Sequence, residues 1–148
     1  MRTRSGPFWD SLEGRQPLPR AAATLGLELV DADADNSSIE LAFNATEDFT
    51  NPSGNVLGAF TAAMLYDTVG PALLATLEPD QFQSTVDIHV NFLRPVRPGR
   101  LLATGRVIHR VGDLAFLEAS LRDAQSNLIA TATATARVIP VAEARAAA

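Results

Sequence analysis

The chain has 148 residues, 47% of them apolar and 20% charged, with a formal net charge of −5 and no cysteine. That is one domain's worth of chain with the apolar share of an ordinary globular protein, long enough to bury a core without disulfides. Thiol nucleophiles and thiolate metal sites are excluded, and since all twelve basic residues are Arg, so are a Schiff-base lysine and a lysine-bearing phosphate loop.

Two histidines, His89 and His109, remain as imidazole candidates. A catalytic base must come from them, from a carboxylate, or from a tyrosine or water held by other groups. The acidic balance argues against a nucleic-acid partner, although Arg94, Arg97, Arg100, Arg106 and Arg110 are concentrated in one stretch. No basic segment with a long apolar run opens the chain and no window reaches membrane-spanning length, so a soluble cytoplasmic protein without a membrane partner is expected.

Residues 1–20 are rich in Arg, Pro and Gly, with Phe8, Trp9 and Leu12 spaced as one helical turn; a partly ordered lead-in is expected. A strand over 25–30, an acidic turn over 31–36, and an alternating strand through Ile39, Leu41 and Phe43 predict a hairpin. The polar run Asn51-Pro52-Ser53-Gly54-Asn55 then leads into 56–77, a long stretch without alternation. It predicts a helix, apolar nearly all round and so enclosed on most sides. Pro71 lies inside it and cannot donate to the carbonyl of Asp67, which predicts a kink or local opening there.

Beyond Asp80 the chain alternates, placing Val86, Ile88, Val90 and Phe92 on one strand face and Thr85, Asp87, His89 and Asn91 on the other. Pro95 and Pro98-Gly99 end that strand, and others follow over 101–109, 114–122 and 128–138. In the last, Ala130, Ala132, Ala134 and Ala136 form a small-residue face that a helix can approach closely. The tail after Pro140 is expected to fray. Strand, strand, long buried helix and a run of antiparallel strands is an α+β order, with the domain proper over residues 21–140 and the tail over 141–148.

The loop 51–55 with Leu57-Gly58-Ala59, the apolar helix carrying Asp67, and the strand from Thr85 ending in Phe92-Leu93-Arg94-Pro95 together resemble hotdog-fold thioesterases of the phenylacetyl-CoA thioesterase-like family, over about residues 16–139. The resemblance implies a long central helix wrapped by a five- to six-stranded antiparallel sheet. It also implies a homo-oligomer, a dimer pairing its sheets edge to edge or a dimer of dimers (homotetramer), with an acyl-CoA or acyl-carrier-protein thioester bound at the dimer interface. No separate cofactor is implied, because coenzyme A or carrier-protein pantetheine is part of the substrate.

Members of that family carry His-Gly-Gly or Gln-Gly-Gly at the helix start and an Asp or Glu nine residues beyond its first member. Matching by position assigns Gly58 to the carbonyl-polarising glycine, Asn51 to a water-placing loop asparagine and Thr85 to a strand hydroxyl. Leu57 and Ala59 stand where the family has His or Gln and the second Gly, and Tyr66 stands where it has the carboxylate. Asp67 is one position on, about 100° around a helix, and takes that place only if the helix is shifted or distorted. Tyr66 is either a hydrogen-bond donor or general acid, or an aromatic filling a site whose catalysis is gone. Leu57, Ala59, Phe60, His89 and Arg110 complete the candidate substrate contacts, His89 as a possible base and Arg110, with Arg97 and Arg100, as candidate phosphate grips. The two histidines lack carboxylates at ligand spacing, and no metal is expected.

Three functions compete on this sequence: a thioesterase, a non-hydrolytic enzyme using Tyr66 for addition, elimination, cyclisation or isomerisation of an acyl intermediate in a specialised biosynthesis, and an acyl-ligand binder without catalysis.

Overall fold

The computed structural model describes residues 4–146. Two short helices, α1 (Pro7–Leu12) and α2 (Arg20–Thr24), precede the hairpin β1 (Glu28–Asp33) and β2 (Ser38–Ala45). A 3-10 turn (Glu47–Phe49) and the polar loop lead into α3 (Gly58–Leu74). Then come β3 (Gln81–Phe92), β4 (Gly99–Val111), β5 (Leu114–Arg122), β6 (Leu128–Pro140) and α4 (Val141–Ala146).

All strand pairs are antiparallel, in the order β1-β2-β4-β5-β6-β3, so the six-stranded sheet has β1 and β3 as its edges. The sheet curves round α3, which packs on β2 through β6. This is the hotdog arrangement that the family resemblance implies, and it encloses the helix as its apolar girth predicts. Met64, Leu65, Val69, Ala72 and Leu73 of α3 are buried against Leu41, Phe43, Leu101, Leu117 and Leu121 of the sheet, each large side chain contributing about 1.5–3 kcal/mol of burial.

Close approach of helix to sheet depends on small residues. Ala130, Ala132, Ala134 and Ala136 of β6 are all buried, as their alternation predicts. On β4, a Cβ added at Gly105 would lie 2.9 Å from the backbone oxygen of Thr68, so the glycine sets how near α3 sits. Thr68 satisfies its own buried hydroxyl by donating to the Met64 carbonyl at 2.7 Å.

Several boundaries differ from the sequence reading, each for a local reason. The first strand begins at Glu28 rather than Leu25, because α2 occupies 20–24. The acidic run is half strand: Asp31–Asp33 pair with β2, and Asp33 then accepts bonds from Asp35 and Asn36 to hold the turn. The lead-in contains α1, with Trp9 buried, and the expected frayed tail begins as α4, packed on β3 and β6. Ala147 and Ala148 lie outside the described residues. α3 runs through Pro71 to Leu74, and the Asp67 carbonyl is left without its helical donor there, as the proline predicts.

A further correction concerns β3. Its pairing with β6 shifts between Thr85 and Asp87, so Val86 is an extra, bulged residue, 61% exposed. A bulge reverses the alternation downstream of it. Thr85 pairs with buried Ala136 and faces inward, as do Ile88 and Val90 opposite Ala134 and Ala132. Thr85 therefore does not share a face with Asp87, His89 and Asn91.

Candidate active site

The predicted residues divide into two groups along α3. The first surrounds its N-terminus. Leu57, in extended conformation (φ −61°, ψ 135°), is the N-cap and offers no side-chain cap; its own amide donates to the Phe49 carbonyl at 2.8 Å. Among the described residues, no acceptor takes the amides of Gly58 or Ala59. A first helical turn leaves such N–H groups unsatisfied and partly positive, suited to an oxygen that gains negative charge. The Phe92 ring lies against Gly58, where an added Cβ would come within 3.0 Å of it.

Phe60 stacks on Phe49 with ring centroids 4.2 Å apart and planes 6° apart, a structural contact that fixes the helix entry. Asn51 folds the preceding loop: its Oδ1 accepts from the Ser53 amide (3.0 Å), the Ser53 hydroxyl (2.7 Å) and the Asn55 amide (3.1 Å). Only the Asn51 Nδ2 is left uncommitted by the loop. Arg97 braces the same loop by donating to the Ser53 carbonyl at 3.2 Å.

The second group lies at mid-helix. Tyr66, Asp67 and Thr85 line one cleft of about 930 Å³, formed between α1, α3, the first half of β3 and α4. Tyr66 and Asp67 also border a smaller hollow of about 480 Å³, lined by Ala62, Ala63 and Ile88. The phenol of Tyr66 is half exposed. Thr85 donates to Gln83 Oε1 at 3.1 Å, so an amide and a hydroxyl sit paired on the cleft wall.

Asp67 is the unusual group. It is largely buried, has no hydrogen-bond or ion-pair partner among the described residues, and burial raises its pKa from 3.8 to about 6. An unpaired carboxyl held in a cleft with its proton affinity moved towards neutrality has the properties of a general base.

His89 and Arg110 join neither group. His89 is exposed on the outer sheet face, its Nε2 3.3 Å from Asn91 Oδ1. Arg110 holds the β4–β5 turn through the Gly112 carbonyl at 3.1 Å, and Arg100 pairs with Glu28 at 3.0 Å. Sequence reasoning missed Gln83 and Phe92, both of which read as ordinary strand residues until the β3 bulge and the Gly58 contact are seen. Among the described residues no cluster of three or more His, Asp or Glu could hold a metal, and no helix is long and apolar enough to cross a membrane.

Comparison with known proteins agrees with this architecture. Residues 53–130 match the thioesterase superfamily. The phenylacetic acid degradation-related protein of Ralstonia eutropha JMP134 is 35% identical with a TM-score of 0.84, over 88% of this chain and 98% of that one. A thioesterase from Haemophilus influenzae (21% identity, TM-score 0.79, 93% of each chain) shares the fold. So does the E. coli PaaI protein from the phenylacetic acid degradation operon (16%, TM-score 0.78, 89% of this chain and 93% of that one). No curated protein sequence matches. By its sequence match and its fold, the chain belongs to the thioesterase superfamily of hotdog proteins.

Proposed function

We propose that the protein hydrolyses acyl thioesters of coenzyme A or an acyl carrier protein, with Asp67 as general base. The observation that carries this reading is the unpaired, desolvated Asp67 carboxyl on the cleft wall, beside the Thr85 hydroxyl's strand. Ionised, it takes a proton from water, which adds to the thioester carbonyl; the tetrahedral intermediate collapses, the C–S bond breaks, and the proton passes to the leaving thiolate. The free amides of Gly58 and Ala59 are the donors available for the oxyanion.

Nine residues separate Gly58 from Asp67, about 13 Å along the helix axis. One thioester cannot touch both in a single chain. On this reading Gly58 of one copy completes the site around Asp67 of a second, and the edge strand β3, with Val86 and Phe92 exposed, is the surface on which the copies meet.

The test is thiol release from a panel of acyl-CoAs by wild type, Asp67→Asn and Tyr66→Phe. Loss of a positioned general base lowers kcat by about 10²–10⁴, so Asp67→Asn is expected to be nearly inactive while Tyr66→Phe retains turnover. A second reading rests on the half-exposed Tyr66 phenol in the same cleft: a non-hydrolytic enzyme on an acyl intermediate. It predicts the reverse pattern, product formed without thiol release and abolished by Tyr66→Phe. Ligand-induced stabilisation with every acyl thioester recovered chemically unchanged would discard both readings in favour of a binder.

A further inference from the structure

Two terminal segments, α1 and α4, close the larger cleft over α3 and β3. Residues 53–130 carry the superfamily match, whereas α1 and α4 lie beyond it on either side and both line the cleft. These segments are fixed in place. Trp9 is buried, with Phe8 edge-on at 5.1 Å and the Arg4 guanidinium 4.7 Å above its ring. Arg4 also donates to the Ala32 carbonyl of β1 at 3.1 Å and pairs with Glu13 at 3.5 Å. Arg15 closes the end of α1 on Asp10 at 3.0 Å and Glu13 at 2.9 Å. Each exposed pair contributes little alone, but together with a buried indole they hold α1 over the cleft.

The lining is mainly apolar: Phe8, Trp9, Leu12 and Leu18 from the N-terminal segment face Leu74 of α3 and Phe82 of β3. At about 930 Å³ the space lies in the upper range of small-molecule sites, far larger than a two-carbon acyl group needs. Asp67 borders that same space.

We propose that this cleft is the acyl subsite of the hydrolase, and that the wall formed by α1 and α4 makes it selective for extended apolar acyl groups over short ones. The inference rests on the hydrolase reading for the position of the thioester beside Asp67. It goes beyond that reading in assigning the acyl selectivity to the terminal segments α1 and α4.

Trp9 is the only tryptophan in the chain, so its emission reports on the cleft directly. The full chain is titrated with non-hydrolysable ethyl, hexyl and decyl thioethers of coenzyme A, following Trp9 fluorescence. Affinity is expected to rise about fourfold for each methylene buried, with emission shifting for the hexyl and decyl compounds and not for free coenzyme A. Leu12→Phe narrows the cleft and should weaken the decyl compound more than the ethyl one; Leu12→Ala should move the preference towards longer chains.

Binding that is indifferent to chain length, or a length profile identical in wild type and both folded variants, would overturn the assignment. Thiol release from the corresponding acyl-CoAs separates the two claims. Length-dependent binding without any thiol release removes the hydrolase reading and leaves an acyl site in this cleft. Release at equal kcat/KM for all lengths keeps the hydrolase and removes the subsite.

Discussion

At the scale of single residues, the question is how Asp67 and Tyr66 share one stretch of helix. Spacing from the helix start picks out Tyr66 for the family carboxylate, yet both residues line the cleft, and burial raises the proton affinity of Asp67. Desolvation is its cause, which makes the carboxylate a source of instability as well as reactivity. In the unfolded chain Asp67 loses its proton near 3.8; in the folded chain it keeps it until about 6. The folded state binds more protons across that window, so stability falls as pH rises through it, and the whole cost is present above about 6. Asp67→Asn should therefore stabilise the protein at pH 8, by up to about 3 kcal/mol before discounting for residual solvent contact, and so raise Tm there while changing it little below pH 4. Thermal melts of the two proteins at both pH values check this. A stabilised but inactive variant is the mark of a functional carboxylate, since a structural one loses stability when neutralised. The sequence alone could place the acid near the site, but its lack of partners is a property of the folded surroundings.

At the scale of elements, alternation made the strands readable and a single extra residue misled. Val86 fits the apolar face by counting, and the inward Ile88, Val90 and buried alanines of β6 obey the pattern. The bulge at Val86 has no compositional mark, so the inward turn of Thr85 could not be counted out. The candidate site was divided for the same kind of reason. Asn51 and Phe60 are loop and entry contacts whose roles depend on how the loop folds back, bringing the Asn55 amide to the one and the Phe49 ring to the other. The helix-to-sheet distance is likewise set by one position. Gly105 leaves no room for a side chain against Thr68 and Ala72: the Thr68 Cγ2 and the Thr68 backbone oxygen would both lie 2.9 Å from an added Cβ, and the backbone atom cannot swing away. Gly105→Val should cost about 1–3 kcal/mol or more through overpacking and push α3 outward. Because α3 also carries Asp67, kcat should fall with stability in the same variant; chemical denaturation and thiol-release assays measure the two.

At the scale of the whole molecule, the distance between Gly58 and Asp67 sets what assembly the hydrolase reading requires. The open amides at Gly58 and the carboxyl at Asp67 lie about 13 Å apart on one rigid helix, so hydrolysis through both demands two chains. Gly58→Pro isolates the first group. Proline is favoured at the first helical position, the extended Leu57 before it already has the required conformation, and the exposed Phe92 ring can yield to the added atoms. The variant should fold, lose one oxyanion donor, and fall about 10²–10³-fold in kcat. Asp67→Asn isolates the second group. Neither variant alone has an intact site, but if each site draws Gly58 from one copy and Asp67 from the other, a dimer containing one of each has one site with both groups. Random mixing after dissociation should then restore about a quarter of wild-type activity, because about half the dimers are mixed and each has one working site of two. Recovery on mixing, absent from either variant alone, identifies a shared site. If one chain supplied both groups, no mixed dimer could contain an intact site and the mixture would stay inactive.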